Sequence, residues 1–253
     1  MASLADGHII IERRGAVQTI RMNRPDKKNA ITRAMYAAMA DALRSGDADP
    51  EIRVHVFFGV PGAFSAGNDL ADFMAIATGG EGGGEVWEFL LALAQSEKPL
   101  LSGVDGIAVG IGTTLNLHCD LTFATPRTVF KTPFVDLGLV PEAGSSLLVP
   151  AILGRQQAFA MLALGEGLSA ERAKAAGLIY DVVPEDTLEA AVLTAAEAVA
   201  AKPPQALKIA RDLMRAPREA VVARIREEGE HFSERLKSDE ARQAFMAFMS
   251  RKK

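Results

Sequence analysis

The chain has 253 residues, 49% hydrophobic and 24% charged, with a formal net charge of −4 at pH 7. That is apolar material for one large or two modest domains with a sizeable core, and the mild acidity leaves no electrostatic footprint for nucleic acid. The one cysteine, Cys119, excludes an intramolecular disulfide and fits a reducing compartment. The Met1–Gly7 stretch has neither a basic region nor an apolar signal core, and no apolar run approaches the roughly 20 residues of a membrane span, so a soluble, cytoplasmic protein is expected.

His8 to Arg14 and Ala16 to Asn23 read as two strands turned at Gly15, with apolar and polar residues alternating. Asn23-Arg24-Pro25-Asp26 breaks that pattern, because proline fixes φ and offers no N–H. Thr32 suits the N-cap of a helix to about Ser45, with Met35, Met39, Ala42 and Leu43 on one face. Ile52 to Val60 is a buried-type strand in which His55 has a structural role. Pro61-Gly62-Ala63 then turns the chain into Phe64-Ser65-Ala66-Gly67-Asn68-Asp69-Leu70. Ala63 to Gly67 nearly matches the nucleophile elbow G-x-S-x-G, but the first glycine is missing and no triad signature accompanies Ser65. Gly79 to Gly84, nearly all glycine, cannot hold a fixed structure by itself; it is a mobile loop beside a binding site or a plain surface loop. Val86, Trp87, Phe89, Leu90 and Leu93 continue as a helix, with Trp87 in the core or on the wall of an acyl pocket, the core being favoured.

The stretch from Ser102 to Ser146 organises the rest. An apolar run, Pro99 to Val104, leads through the glycine turn Gly106 to Gly112 into a helix-like segment, Thr113 to Cys119, and then a second apolar run, Leu121 to Ala124. A helix that starts behind a glycine turn leaves its first backbone N–H groups unpaired and able to hold a developing negative charge. Farther on, Glu142 stands in the Gly/Ser-rich turn Pro141 to Ser146, before an apolar helix, Leu147 to Leu153, closed by Gly154. A donor pocket with one carboxylate is a proton-transfer site in outline. The G-x-G-x-x-G fingerprint fails at Leu115, and the four histidines show no metal-ligand spacing. Ser169 can cap a helix to Ala176. From Leu188 onward the pattern is helical, broken at Pro203-Pro204 and Pro217, with Val221, Ile225, Phe232 and Leu236 on one stripe and Ala241, Phe245 and Phe248 on another.

The loop Phe64 to Leu70, Lys98-Pro99 leading to Asp105-Gly106-Ile107-Ala108-Val109-Gly110, and Cys119-Asp120 resemble the crotonase (enoyl-CoA hydratase/isomerase) superfamily. The likeness extends upstream to Asn23-Arg24-Pro25 and Asn29-Ala30. Downstream it takes in Leu168-Ser169-Ala170, Ala175-Ala176-Gly177-Leu178 and Val182-Val183-Pro184, so it covers nearly the whole chain. It implies an α/β fold: a ββα spiral core over residues 1–190 and a C-terminal helical region, 191–253, used for trimer assembly and for closing the CoA site. It further implies an acyl-CoA thioester as substrate, no cofactor beyond the coenzyme A of that substrate, no metal, no nucleic-acid or membrane partner, and a homotrimer or dimer of trimers.

The resemblance also implies an oxyanion hole. The backbone N–H groups of Asn68 and Ile111 would bind the thioester carbonyl and stabilise the enolate formed when a proton leaves carbon 2. Ala66, Asn68, Asp69, Leu70 and Ile111 would line the substrate. Each preorganised donor is worth roughly 3–4 kcal/mol in such sites, and backbone donors leave the side chains partly free to vary. Taken without the resemblance, the same glycines fit tight turns that need φ > 0. Hydratases of the family carry two glutamates, and this chain has Thr114 and Phe134 at those positions. Glu142 falls instead where Δ3,Δ2-enoyl-CoA isomerases place their single acid-base, and one carboxylate suffices for a 1,3-proton shift. Asp136 is its nearest competitor. A hydratase or other crotonase-fold acyl-CoA enzyme, and a catalytically silent acyl-CoA-binding or scaffold protein, remain as alternatives.

Overall fold

The computed structural model describes residues 1–77 and 83–250. Eleven strands are described: β1 (Ala2–Leu4), β2 (Ile9–Arg14), β3 (Val17–Met22), β4 (Val54–Phe58), β5 (Ala63–Ser65), β6 (Leu100–Val104), β7 (Ile107–Val109), β8 (Leu121–Ala124), β9 (Val129–Lys131), β10 (Leu168–Ser169) and β11 (Asp181–Val182). They form a seven-stranded sheet, ordered β1-β2-β3-β4-β6-β8-β11, and a four-stranded sheet, ordered β10-β9-β7-β5. In the large sheet, β1 to β3 pair antiparallel and β3 to β11 pair parallel. Every residue of β4 and β6 is buried, as expected of parallel strands covered on both faces. The expected hairpin at Gly15 forms, while β1 adds a third strand that the sequence pattern had not marked.

From β4 onward the chain repeats one operation. It lays a strand in the large sheet, the next in the small sheet, and then turns into helix: β4, β5, then α2 (Leu70–Ala77) and α3 (Gly84–Gln95); β6, β7, then α4 (Ile111–Thr114); β8, β9, then α5 (Ser145–Leu162). This is an α/β spiral of ββα turns. It sets the carboxyl ends of β5 and β7 side by side, since those strands are parallel neighbours, and both glycine turns follow directly from them. The expected glycine-rich loop, Gly79 to Gly84, lies for the most part outside the described residues.

Helix α1 (Arg33–Ala48) precedes the repeats and is capped as expected: the Thr32 hydroxyl accepts from the Met35 N–H at 3.3 Å. The helix expected over Leu147 to Leu153 begins earlier, at Ser145, and continues to Leu162. Gly154 does break it (φ 73°, ψ 162°), but the chain resumes helix on the far side instead of ending. The Thr113 to Cys119 segment divides into the end of α4 and a 3-10 stretch, Leu115–His118. Helix α6 (Ala170–Ala175) is capped by Ser169, as expected.

Four helices close the chain: α7 (Leu188–Ala200), α8 (Pro204–Met214), α9 (Arg218–Leu236) and α10 (Asp239–Ser250). Helix α7 spans the expected boundary near residue 190 and packs Leu188, Val192, Leu193 and Ala196 on the large sheet against Val56, Leu101 and Phe123. Helix α8 is tied down by Arg211, whose Nε donates to Asp120 at 2.9 Å and whose Nη1 donates to the Ser96 carbonyl at 2.8 Å. Helix α9 lies against α3 and α5, burying Val221, Ile225 and Leu236 of the expected stripe. Trp87 of α3 meets Gly229 of α9 so closely that a Cβ there would sit 1.2 Å from the indole ring. Its expected core role fits this contact. Phe245 of α10 is buried beside Phe73; the side chain of Phe248 lies outside the described set. Among the described residues no helix is long and apolar enough to cross a membrane.

Candidate active site

The loop after β5 is held from behind by the segment 28–31. Asn29 is fully buried and donates from Nδ2 to the Ala63 and Phe64 carbonyls at 2.9 and 3.1 Å. Ser65 Oγ donates to the Asn29 carbonyl at 2.8 Å and accepts from the Gly67 N–H at 3.1 Å. Its hydroxyl is thus buried and committed to loop structure, which removes it as a nucleophile. The Ala66 N–H donates to the Lys28 carbonyl at 2.9 Å. An isolated parallel bridge joins Ile31 to Asn68 through Ile31 N–H to Gly67 carbonyl (2.8 Å) and Asp69 N–H to Ile31 carbonyl (3.0 Å). That pairing uses the neighbours of Asn68 and leaves the Asn68 N–H out of it.

The second turn is built at Gly110 (φ 56°, ψ −122°), a conformation open to glycine because it has no Cβ. The Gly110 carbonyl accepts from the N–H groups of Thr113 and Thr114. Ile111, the first residue of α4, therefore has no intrahelical acceptor for its own N–H. The two turns touch: a Cβ at Gly67 would stand 2.9 Å from the Val109 carbonyl oxygen, and one at Gly112 would stand 2.8 Å from the Ser65 carbonyl oxygen. So the structure brings the Asn68 and Ile111 segments together at the ends of adjacent parallel strands.

Glu142 reaches the same place from the turn before α5. It is 8% exposed, and its Oε1 accepts from Thr114 Oγ1 at 2.5 Å. Thr114 stands one turn along α4 from Ile111, so the hydroxyl at a hydratase glutamate position serves here as partner to the carboxylate. Burial pushes the Glu142 carboxyl up to about 8; the Thr114 hydrogen bond opposes this and the nearby charge of Glu228 adds to it. Such a group can both take and return a proton near neutral pH.

The backbone behind Glu142 is unusual. Ala143 and Gly144 are both left-handed, with φ of 60° and 73°, which costs an alanine roughly 1–2 kcal/mol. The turn is pinned on two sides. His118 Nε2 lies 2.8 Å from the Ala143 carbonyl, and burial holds the imidazole down at about 4, hence neutral, so the ring donates to that carbonyl. From α9, Glu228 accepts the Gly144 and Ser146 N–H groups at 2.6 and 2.8 Å.

Sequence reasoning missed three of these groups. Tyr36 of α1 is buried and donates its hydroxyl to Asn68 Oδ1 at 2.5 Å; burial, then the charge of Glu142, pushes its phenol well above 10.0. The side chain of Asn68 is thus engaged, a contact that narrows the partial freedom expected of a residue donating only from its backbone. The sequence marks Thr114 only as the place of a missing glutamate. Glu228 falls on the α9 stripe, at the spacing Val221, Ile225, Glu228, Phe232, and a carboxylate on an apolar stripe was the available signal.

The remaining expected residues are placed as follows. Ala66 and Leu70 are half-buried on either side of Asn68. Asp69 turns toward structure: Oδ2 accepts from Arg24 at 2.7 Å and Oδ1 from the Ala71 N–H at 2.9 Å. Burial works to raise its carboxyl, but Arg24 and these N–H groups outweigh it and leave it below the usual range. Phe134 is buried. Asp136 is exposed and lies against Gly165, so it does not compete with Glu142. His55 is buried with Nε2 3.1 Å from Asp47, in the structural role expected of it. Among the described residues no group of three His, Cys, Asp or Glu could hold a metal ion. An open groove between α1 and α3, lined by Arg33, Asp41, Arg44, Glu85 and Glu88, shares no residue with this site.

The enoyl-CoA hydratase/isomerase family model matches residues 12–253. Rat enoyl-CoA delta isomerase 2 is 37% identical over 96% of this chain, and the human protein of the same name 36% over 96%. The chain spans 64% of the length of each. The solved structure of OdaA from Pseudomonas aeruginosa superposes with a TM-score of 0.91 at 42% identity, covering 96% of this chain and 98% of that one.

Proposed function

The chain belongs to the enoyl-CoA hydratase/isomerase family, and from that premise we propose that it shifts a double bond from position 3 to position 2 of an enoyl-CoA by a 1,3-proton transfer. The observation that carries the reading is Glu142: a buried carboxylate held by Thr114 beside the two glycine turns, with Thr114 and Phe134 at the two positions where hydratases carry their glutamates. The names of the rat and human relatives support the same choice.

In this reading the Asn68 and Ile111 N–H groups hold the thioester carbonyl oxygen. Negative charge grows on that oxygen as Glu142 takes a proton from carbon 2, and the electron pair moves through the enolate to reform the double bond between carbons 2 and 3. Glu142 then gives its proton back at carbon 4, so no water is added and the carboxylate is restored. Thr114 keeps Oε1 oriented between the two transfers. Tyr36 fixes the Asn68 side chain and through it the loop that carries the N–H donor. A homotrimer or dimer of trimers in the cytoplasm is part of the same proposal. Exposed apolar side chains, Phe159 and Leu164 near one end of α5 and Leu213 and Met214 on α8, supply surface for contacts between copies.

The test is Glu142→Gln, which keeps the shape and removes the base. Turnover of a 3-enoyl-CoA should fall by roughly 10²–10⁴-fold, together with solvent exchange at carbon 2. Near-normal turnover by the variant would overturn the assignment. So would wild-type protein that hydrates crotonyl-CoA and leaves 3-enoyl-CoA untouched.

A further inference from the structure

Glu228 is 5% exposed on α9, and no step of the proton transfer uses it. Both of its oxygens are committed to one backbone turn, accepting from Gly144 and Ser146, while Arg224 one turn earlier donates to Ser146 Oγ at 3.1 Å. We propose that Glu228 is a positioning residue for Glu142: it holds the left-handed turn from which Glu142 projects and fixes the charge that Glu142 faces. The inference rests on the reading of Glu142 as the proton carrier.

Two features separate this from ordinary helix capping. The N-cap of α5 is Gly144, with no side chain to cap it, and a local Ser, Thr, Asp or Asn would satisfy those N–H groups without any distant residue. Here the acceptor comes from 84 residues farther along, and it brings a like charge toward the one carboxylate that reacts. The register of α9 is also fixed beside it, because Gly229 receives the Trp87 ring.

The groups that face Glu142 can be named for each element packed there. Helix α4 supplies the Thr114 hydroxyl, α1 the Tyr36 phenol, and α9 the Glu228 carboxylate. The 3-10 stretch supplies His118, which stays neutral. Arg224 pairs with Glu227 at 2.9 Å and partly offsets Glu228. Burial is the largest reason that Glu142 holds its proton so tightly, Thr114 works against it, and Glu228 adds to it. Glu228 itself is raised by burial and drawn back by Ser146, Gly144 and Arg224.

The experiment is to titrate Glu142 in the unliganded protein by carboxyl-region infrared difference spectroscopy, using Glu142→Gln to identify its band, and to compare wild type with Glu228→Gln. The midpoint should fall by up to about one pH unit, and kcat for 3-enoyl-CoA should drop about tenfold from a misplaced base with KM near its wild-type value. An unmoved midpoint would reduce Glu228 to a structural contact and overturn the proposal. Glu228→Asp covers the case of a Gln variant that does not fold. It keeps the charge and withdraws it by one methylene, so the midpoint should stay and kcat should fall; full kcat in that variant would equally overturn it. The titration needs no substrate, so wild-type protein without isomerase turnover would refute the reaction assigned above and leave the midpoint comparison standing.

Discussion

Replacing Glu142 by Gln should stabilise the folded protein above neutral pH, by an amount the burial of the group fixes. Its carboxyl rises from the ordinary 4.5 to about 8, chiefly through burial. A raised carboxyl binds its proton more tightly in the folded chain than in the unfolded one. Below 4.5 both states are protonated and the group contributes no penalty. Between 4.5 and 8 the unfolded chain ionises first, so stability is lost as pH rises, and above 8 the loss is complete. At 1.36 kcal/mol per unit, the difference of 3.5 units (8 − 4.5) sets a ceiling of about 5 kcal/mol. The same linkage gives roughly 3 kcal/mol at pH 7 and about 1 kcal/mol at pH 5. Gln keeps an oxygen for the Thr114 hydroxyl and cannot ionise. Urea unfolding followed by the fluorescence of Trp87, the one tryptophan, should therefore show a gap in favour of Glu142→Gln that widens from pH 5 to pH 8.5. A gap of the same size at every pH, or a wild type more stable than the variant at pH 8.5, would refute the burial argument, whatever reaction the protein catalyses.

Thr114→Val keeps the shape but removes the donor that favours ionised Glu142, so the acidic limb of kcat/KM should move up by about one pH unit. A limb that stays in place would count against the 2.5 Å contact. Tyr36→Phe leaves the Asn68 amide without its buried partner; stability should fall by about 1–3 kcal/mol in thermal unfolding, and kcat should fall more than KM rises. Static light scattering at micromolar concentration should return a multiple of the 26.9 kDa chain mass, and a monomer would end the assembly proposal.

The two- and three-residue strands of the small sheet and of the large sheet's edges are too short to show a period. The hairpin β2–β3 and the long strands β4, β6 and β8 were legible because their apolar runs are continuous and glycines punctuate them, as at Gly106 and Gly110. The position of Glu142 in a small-residue turn was legible for the same reason. What holds Glu142 in place was not. Thr114, His118 and Glu228 meet the turn from three separate elements, and no local pattern encodes a contact across 84 residues. Gly154 misled because a positive φ is the common end of a helix; here Arg155 to Leu162 resume helix beyond it. The engagement of Asn68 was hidden because Tyr36 sits on an apolar face, where only its hydroxyl signals that a partner must exist.

The turn that bears Glu142 is complete in sequence long before the residue that latches it. A chain emerging from the ribosome could build β4 to β9 and α5 with the Gly144 and Ser146 N–H groups still facing water, since Glu228 follows 84 residues after Gly144. At a synthesis rate of roughly 5–20 residues per second, that interval lasts several seconds. During it, His118 alone would pin the turn at the Ala143 carbonyl, without the Glu228 latch. On the proposed reading of Glu142, the full geometry for proton transfer would then wait for the docking of α9.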